Sequence, residues 1–216
     1  QYLFNNGYFD GEIKKDVIFK KRKAILIYSI NTKKPYLISN ILYTIEDSSL
    51  FSIIMSDTSK CKIKQNTIFN TDILQEERQR IEYLFRNNGY YSFSKDYISF
   101  ELDTFKSNNK IIINVVIKNP VIKLGDNDIR KGFHQRYTIN DIQVWIDNQR
   151  TSDTLNYNPD SIMYDIRTIK DISYFYRDKI SIKPEVLANH MYINKNSIFK
   201  QKDVEETFNG LSSLQI

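Results

Sequence analysis

The residues Asn5-Asn6-Gly7-Tyr8-Phe9 return as Asn87-Asn88-Gly89-Tyr90-Tyr91. Repetition constrains a fold more than any single side chain, because each copy is one supersecondary unit stacked beside the next. Other echoes keep the same order. Tyr36, Ile38 and Ile41 match Tyr137, Ile139 and Ile142 in type and spacing, and Asn66, Ile68 and Phe69 match Asn196, Ile198 and Phe199. In the same frame Leu74, Ile81 and Leu84 match Val204, Leu211 and Leu214. The chain reads as a tandem array. It is expected to begin inside a unit, since the first motif stands at its N-terminus.

The 216 residues allow one to three domains. A hydrophobic content of 41%, with 15 Tyr and 13 Phe but few Gly and Pro, belongs to an ordered protein with real cores. No stretch approaches the roughly 20 apolar residues that cross a bilayer as a helix. The single cysteine, Cys61, excludes an intrachain disulfide and fits either cytosol or periplasm. A net charge of +5 is compatible with nucleic acid or anionic lipid as partner. The charges are scattered, however, and the one dense basic run is Lys20 to Lys23, so solvated faces explain them better.

The second copy shows one unit from end to end. Tyr36 to Ile45 is rich in β-branched and aromatic residues and reads as a strand. Leu50 to Met55 is an apolar run whose type the pattern leaves open, a helical turn being one reading. Asn70, Thr71 and Asp72 are cap residues, with Gln75 placed after Asp72 as in a capping box. Leu74, Ile81, Leu84 and Phe85 then share a helical face, while Gln75, Glu76, Glu77, Gln79, Arg80 and Glu82 are expected to face water. Gly89 stops this helix, because the residue past a helix end takes a left-handed backbone. Ile98, Phe100 and Leu102 alternate with Ser99, Glu101 and Asp103, which predicts an edge strand over 96–104. The nearly continuous apolar run Ile111 to Ile117 predicts a central strand over 110–118.

The fold class expected is therefore α+β, built of tandem β-α-α-β-β units, each a small three-stranded sheet under two helices. Residues 1–35 would be the C-terminal part of a first unit, with strands around Ile13 to Phe19 and Ala24 to Ile30. Residues 36–120 would be a complete second unit and 121–135 a linker. Residues 136–216 would be a third unit that stops before its last two strands, with a first strand from Tyr137 to Ile146 and a helix from Asp203 to Leu214. The Ile142-to-Asn196 spacing exceeds the Ile41-to-Asn66 spacing by 29 residues. That excess predicts an insertion near 147–182, comprising a polar loop from Asn148 to Asp160 and an extra element around Ile172 to Ile182.

No reacting constellation is visible. His134 and His190 are far apart and lack nearby ligand partners of the spacing zinc requires. Cys61 lies between Lys60 and Lys62, a setting that can lower a thiol pKa, but no His or second Cys adjoins it. Asp126-Asn127-Asp128 lacks the further acidic positions of a calcium loop and reads as a turn. Tyr174, Phe175 and Tyr176 could stack nucleobases. In a strand they alternate faces, so at least one points inward and core packing explains them better. No catalytic residue, metal site or cofactor site is assigned, and the chain is read as not an enzyme.

Taken in order, the Asp72–Ile81 helix, Asn88 to Phe93, Ile98 to Phe100, Asp103-Thr104 and the Ile111–Ile117 strand resemble the POTRA (polypeptide-transport-associated) domain. Tyr174 to Lys179, Lys183 to Leu187, Val204 to Phe208 and Leu211 to Leu214 resemble the following unit, although Gln215 and Ile216 stand where Gly and an aromatic are usual. The chain looks like the periplasmic part of a BamA/TamA-type outer-membrane assembly protein, particularly the versions of Bacteroides-like bacteria. The resemblance implies a location at the periplasmic face of the outer membrane, no cofactor, and a C-terminal membrane β-barrel in the parent protein. It also implies unfolded outer-membrane proteins or accessory periplasmic or lipoprotein subunits as partners, and no nucleic acid. An edge strand offers such clients unpaired backbone groups, and the peptide-binding residues expected are Ile98, Ser99, Phe100, Glu101, Leu102 and Asp103. The competing reading is a basic nucleic-acid-binding array of small α/β modules.

Overall fold

The computed structural model describes residues 1–105, 108–123, 129–146, 164–176 and 182–214. The chain divides into two compact units, one of residues 1–84 with 93–134 and one of 85–92 with 135–216. Asp126-Asn127-Asp128, the Asn148–Asp160 loop, Arg177 to Lys179, Gln215 and Ile216 lie outside the described residues.

The first unit opens with a short helix α1 (Tyr2–Asn5) and a hairpin of β1 (Glu12–Lys20) and β2 (Lys23–Asn31), paired antiparallel from Glu12↔Asn31 to Lys20↔Lys23. Every residue of both strands is exposed. The array then runs β3 (Leu37–Ile45), α2 (Ser48–Ser56), α3 (Thr71–Arg86), β4 (Ile98–Phe105) and β5 (Lys110–Ile117). The apolar run left open above is thus helix α2. Asp47 caps it by accepting the Ser49 and Leu50 N–H groups at 2.9 and 3.4 Å, and Leu50 and Ile54, one turn apart, are buried. At the start of α3 it is Asn70 that accepts the Asp72 N–H, at 2.6 Å, and Gln75 accepts from Arg78 instead of closing a capping box.

The sheet order is β3-β5-β4, with β5 central, parallel to β3 and antiparallel to β4. Ile111, Ile113, Val115 and Ile117 of β5 are buried, as are Leu74 and Ile81 of α3. The intervening residues of β5 are only half-buried because helices cover one face of the sheet. Within the stretch expected as a linker, β6 (Val121–Lys123) and β7 (Ile129–Lys131) pair antiparallel.

In the second unit the sheet order is β8-β10-β9, from β8 (Gln143–Ile146), β9 (Asp165–Ile169) and β10 (Ile172–Tyr176), followed by α4 (Pro184–Ala188) and α5 (Gln201–Ser212). Two expectations change here. The strand drawn from Tyr137 to Ile146 is a strand only over Gln143–Ile146. The extra element is a β-hairpin that enters the sheet and takes its centre. Its turn, Lys170-Asp171, has positive φ at both residues (52° and 61°), the backbone of a tight hairpin turn. Ile172 and Tyr174 of β10 point into a core with Ile142, Leu187 and Ala188. Strand β10 pairs parallel with β8, and this sheet precedes α4 and α5 in the chain.

The doubled motif has the same geometry in both units. After α1, the Tyr8 N–H reaches Leu3 C=O (2.9 Å) and the Gly7 N–H reaches Phe4 C=O (3.1 Å), the bond pair of a glycine-terminated helix. Tyr90 N–H to Phe85 C=O (3.2 Å) repeats the Tyr8–Leu3 bond. Gly7 and Gly89 have φ of 82° and 97°. Each glycine then offers its carbonyl to a tyrosine: Tyr36 N–H to Gly7 and Tyr137 N–H to Gly89, both at 2.8 Å. Those tyrosines in turn accept Phe69 and Phe199 N–H, both at 3.0 Å. The second aromatic after each glycine closes over the same place, Phe9 on Phe69 and Tyr91 on Phe199 with ring centres 5.3 and 5.0 Å apart. All three sequence echoes therefore meet in one latch.

Candidate functional site

Strand β4 lies at one edge of its sheet and uses part of its backbone on β5. Lys118 N–H donates to Tyr97 C=O at 2.9 Å, and the antiparallel register continues through Ser99↔Val116, Glu101↔Asn114 and Asp103↔Ile112. Hydrogen-bonded pairs alternate in such a ladder, so these residues spend their backbone groups on β5. The Ile98 N–H donates to Lys95 C=O, while Phe100, Leu102 and Thr104 turn N–H and C=O to the open edge. Among the described residues no backbone group pairs with them on that side.

Side chains on β4 sort by face. Ile98 is buried, and Phe100 is half-buried beneath the Arg78 guanidinium, 5.3 Å from its ring centre. Leu102 is partly exposed. On the opposite face Thr44 donates to Asn114 (3.0 Å), which donates to Glu101 (2.9 Å), tying the three strands together. Ser99 and Asp103 flank that ladder. The six residues expected to bind peptide thus occupy one edge strand, with their outward backbone on the apolar positions and not on the wet-face ones.

Glu77 does not face water as expected. It is fully buried, accepts the Lys62 N–H (2.8 Å), and receives Arg80 through Nε (2.9 Å) and Nη2 (2.7 Å). Arg80 also reaches Asp57 at 2.5 Å. Glu77 falls three after Leu74 and four before Ile81, on the apolar stripe, so the spacing carried the signal. Cys61 is buried beside this cluster and accepts from the Tyr43 hydroxyl at 3.5 Å. Burial pushes both the Cys61 thiol and the Tyr43 phenol up, the opposite of the lowering that flanking lysines can produce.

The histidines take packing positions. His134 lies between Phe93 and Tyr97 with a ring nitrogen 3.0 Å from Lys118 C=O, and His190 contacts Val186 C=O at 2.9 Å. Among the described residues no group of three or more His, Cys, Asp or Glu could hold a metal ion, and no helix is long and apolar enough to cross a membrane. In the aromatic triplet Tyr174 enters the core, while Phe175 stacks on Trp145 of β8 with ring centres 4.2 Å apart.

No protein-family profile matches the sequence, and no curated protein does. Among solved structures, a crystal structure of Haemophilus influenzae BamA POTRA3-5 is similar at 14% identity and a TM-score of 0.45, over 99% of this chain and 65% of that one. BamA from Haemophilus ducreyi lacking POTRA domains 1-3 is similar at 14% identity and a TM-score of 0.35, over 55% of this chain and 21% of that one. The chain spans less than two thirds of the length of either structure. The functional reading rests on the geometry of the sheet edge.

Proposed function

We propose that this chain is a POTRA-type, non-enzymatic segment of an outer-membrane assembly protein, lying on the periplasmic side and receiving extended polypeptides on the free edge of β4. The observation that carries the reading is the outward backbone of Phe100, Leu102 and Thr104, which has no backbone partner among the described residues. Main-chain bonds supply affinity without reading sequence, which suits a receptor for many unfolded clients or for accessory subunits. Sheet edges are usually protected by charge, bulges or cover. Here β4 is regular through eight paired positions and holds its Glu101 carboxylate in a cross-strand bond. The repeat supports the same assignment: β3-α2-α3-β4-β5 is one β-α-α-β-β unit closed by the glycine latch. The exposed apolar faces of β1 and β2 suit the closing hairpin of another such unit, and a membrane β-barrel would follow in the parent protein.

The test is photocrosslinking. Photoreactive residues at Ser99 and Asp103 are expected to capture an unfolded outer-membrane polypeptide well above the level seen at exposed Gln79 on α3. Equal capture at the three positions would overturn the assignment of the edge.

A further inference from the structure

The outer side of β3 carries a second, chemically different acceptor. Leu37 N–H donates to Asn109 C=O at 2.9 Å, so Leu37 faces β5. Ile38 faces away and is covered: its N–H donates to Thr67 and its C=O accepts from Asn66, at 2.9 and 2.7 Å. A bulge between Ile38 and Asn40 then resets the register, so that Asn40, Leu42 and Thr44 oppose Ile112, Asn114 and Val116. Ile41, Tyr43 and Ile45 consequently turn their backbone groups outward. The Ile41 N–H is taken by the Asn40 side chain at 2.9 Å. Among the described residues, the N–H and C=O of Tyr43 have no backbone partner on that side.

Beside this bare stretch lies a groove of about 390 Å³ lined by Ile41, Tyr43, Cys61 and Ile63, with Lys64 and Gln65 at its rim. Cys61 and Ile63 are buried, so the floor is apolar, and the Tyr43 hydroxyl is held on the Cys61 sulfur. The alternation that buries Cys61 and Ile63 turns Lys60, Lys62 and Lys64 out to solvent. Lys60 pairs with Asp57 at 2.8 Å. Lys62 and Lys64 have no carboxylate partner among the described residues. An edge with an adjacent pocket is the geometry that reads alternate side chains of an added strand.

We propose that the Ile41–Ile45 edge binds an extended segment of a partner protein whose side chains alternate between apolar and acidic, the apolar ones entering the groove and the acidic ones meeting Lys62 and Lys64. It rests on strand addition, as the proposed function does, but on the opposite edge of the sheet and with sequence selectivity.

The probes are two short fluorescent peptides that alternate valine with glutamate or valine with lysine, titrated against the full chain by anisotropy. The glutamate peptide is expected to bind and the lysine peptide to bind at least about tenfold more weakly. Lys62→Glu with Lys64→Glu is expected to reverse that preference. Tyr43→Pro removes an outward donor without touching the β5 ladder and is expected to abolish binding, while Tyr43→Phe retains it. Leu102→Pro, on the β4 edge, is expected to leave it unchanged. Loss with Leu102→Pro but not with the β3 variants overturns this inference and leaves the proposed function standing. So does the absence of any preference between the peptides. Self-association of the chain that Tyr43→Pro abolishes would make a second copy the occupant and overturn it as well.

Discussion

Gly89 shows how one missing atom sets the latch. With φ at 97°, a Cβ there would lie 2.7 Å from Arg136 Cγ and 2.9 Å from Ile198 Cγ2. The left-handed backbone alone costs a non-glycine residue about 1–2 kcal/mol. Gly89→Ala is therefore expected to destabilise the second unit by about 2 kcal/mol or more, measured as a fall in urea midpoint at unchanged slope. Gly11→Ala, in the first unit, is expected to cost less, since Gly11 lacks a positive φ and an added Cβ meets the movable end of Leu3 at 2.9 Å and the Tyr8 C=O at 3.2 Å. Glu77 makes the opposite point, that a charged residue can belong to the core. Glu77→Ala leaves Arg80 with Asp57 as its remaining carboxylate and the Lys62 N–H without its acceptor, and leaving a buried polar group unsatisfied costs about 1–3 kcal/mol. The same urea titration checks it, and a change near zero would mean water reaches the cluster.

At the level of the element, the two sides of β4 make opposite demands on proline. Leu102 offers its N–H to the edge, whereas Asp103 spends its N–H on Ile112. Leu102→Pro is expected to fold and to lose capture of client strands at Ser99. Asp103→Pro is expected to lose at least about 1 kcal/mol of stability, because a ladder bond goes. If Leu102→Pro captures as well as the parent chain, β4 is not the receiving strand. The centre-and-edge assignment of β4 and β5 was readable in their residues, since β4 alternates and β5 does not. The second sheet was not readable in this way. Trp145 and Ile146, or Ile172 and Tyr174, carry strand propensity whether they pair with each other or with segments elsewhere, and propensity has no term for the partner.

For the molecule as a whole, the acid–base behaviour of the first unit follows from the groups it buries. Cys61 and Tyr43 both have pKa values raised mainly by burial, so the folded state holds their protons more tightly than the unfolded chain does. Their contribution to stability is fully present below the ordinary thiol value of 9.0 and is lost as pH rises beyond it. Thermal unfolding should shift downward between neutral and alkaline pH, and Cys61→Ala combined with Tyr43→Phe should flatten that slope. The sequence by itself determined what is local: the glycine stops, strands β1 to β5, the apolar stripe of α3 and the existence of a repeat. Those depend on neighbours within a turn or two of chain. Only the tertiary structure decided that the three echoes close into one latch, that Glu77 takes the Lys62 N–H, and that β10 lies beside β8 at the centre of a sheet. Each of these joins residues far apart in the chain, and a backbone hydrogen bond carries no signature of its partner until packing brings the two together.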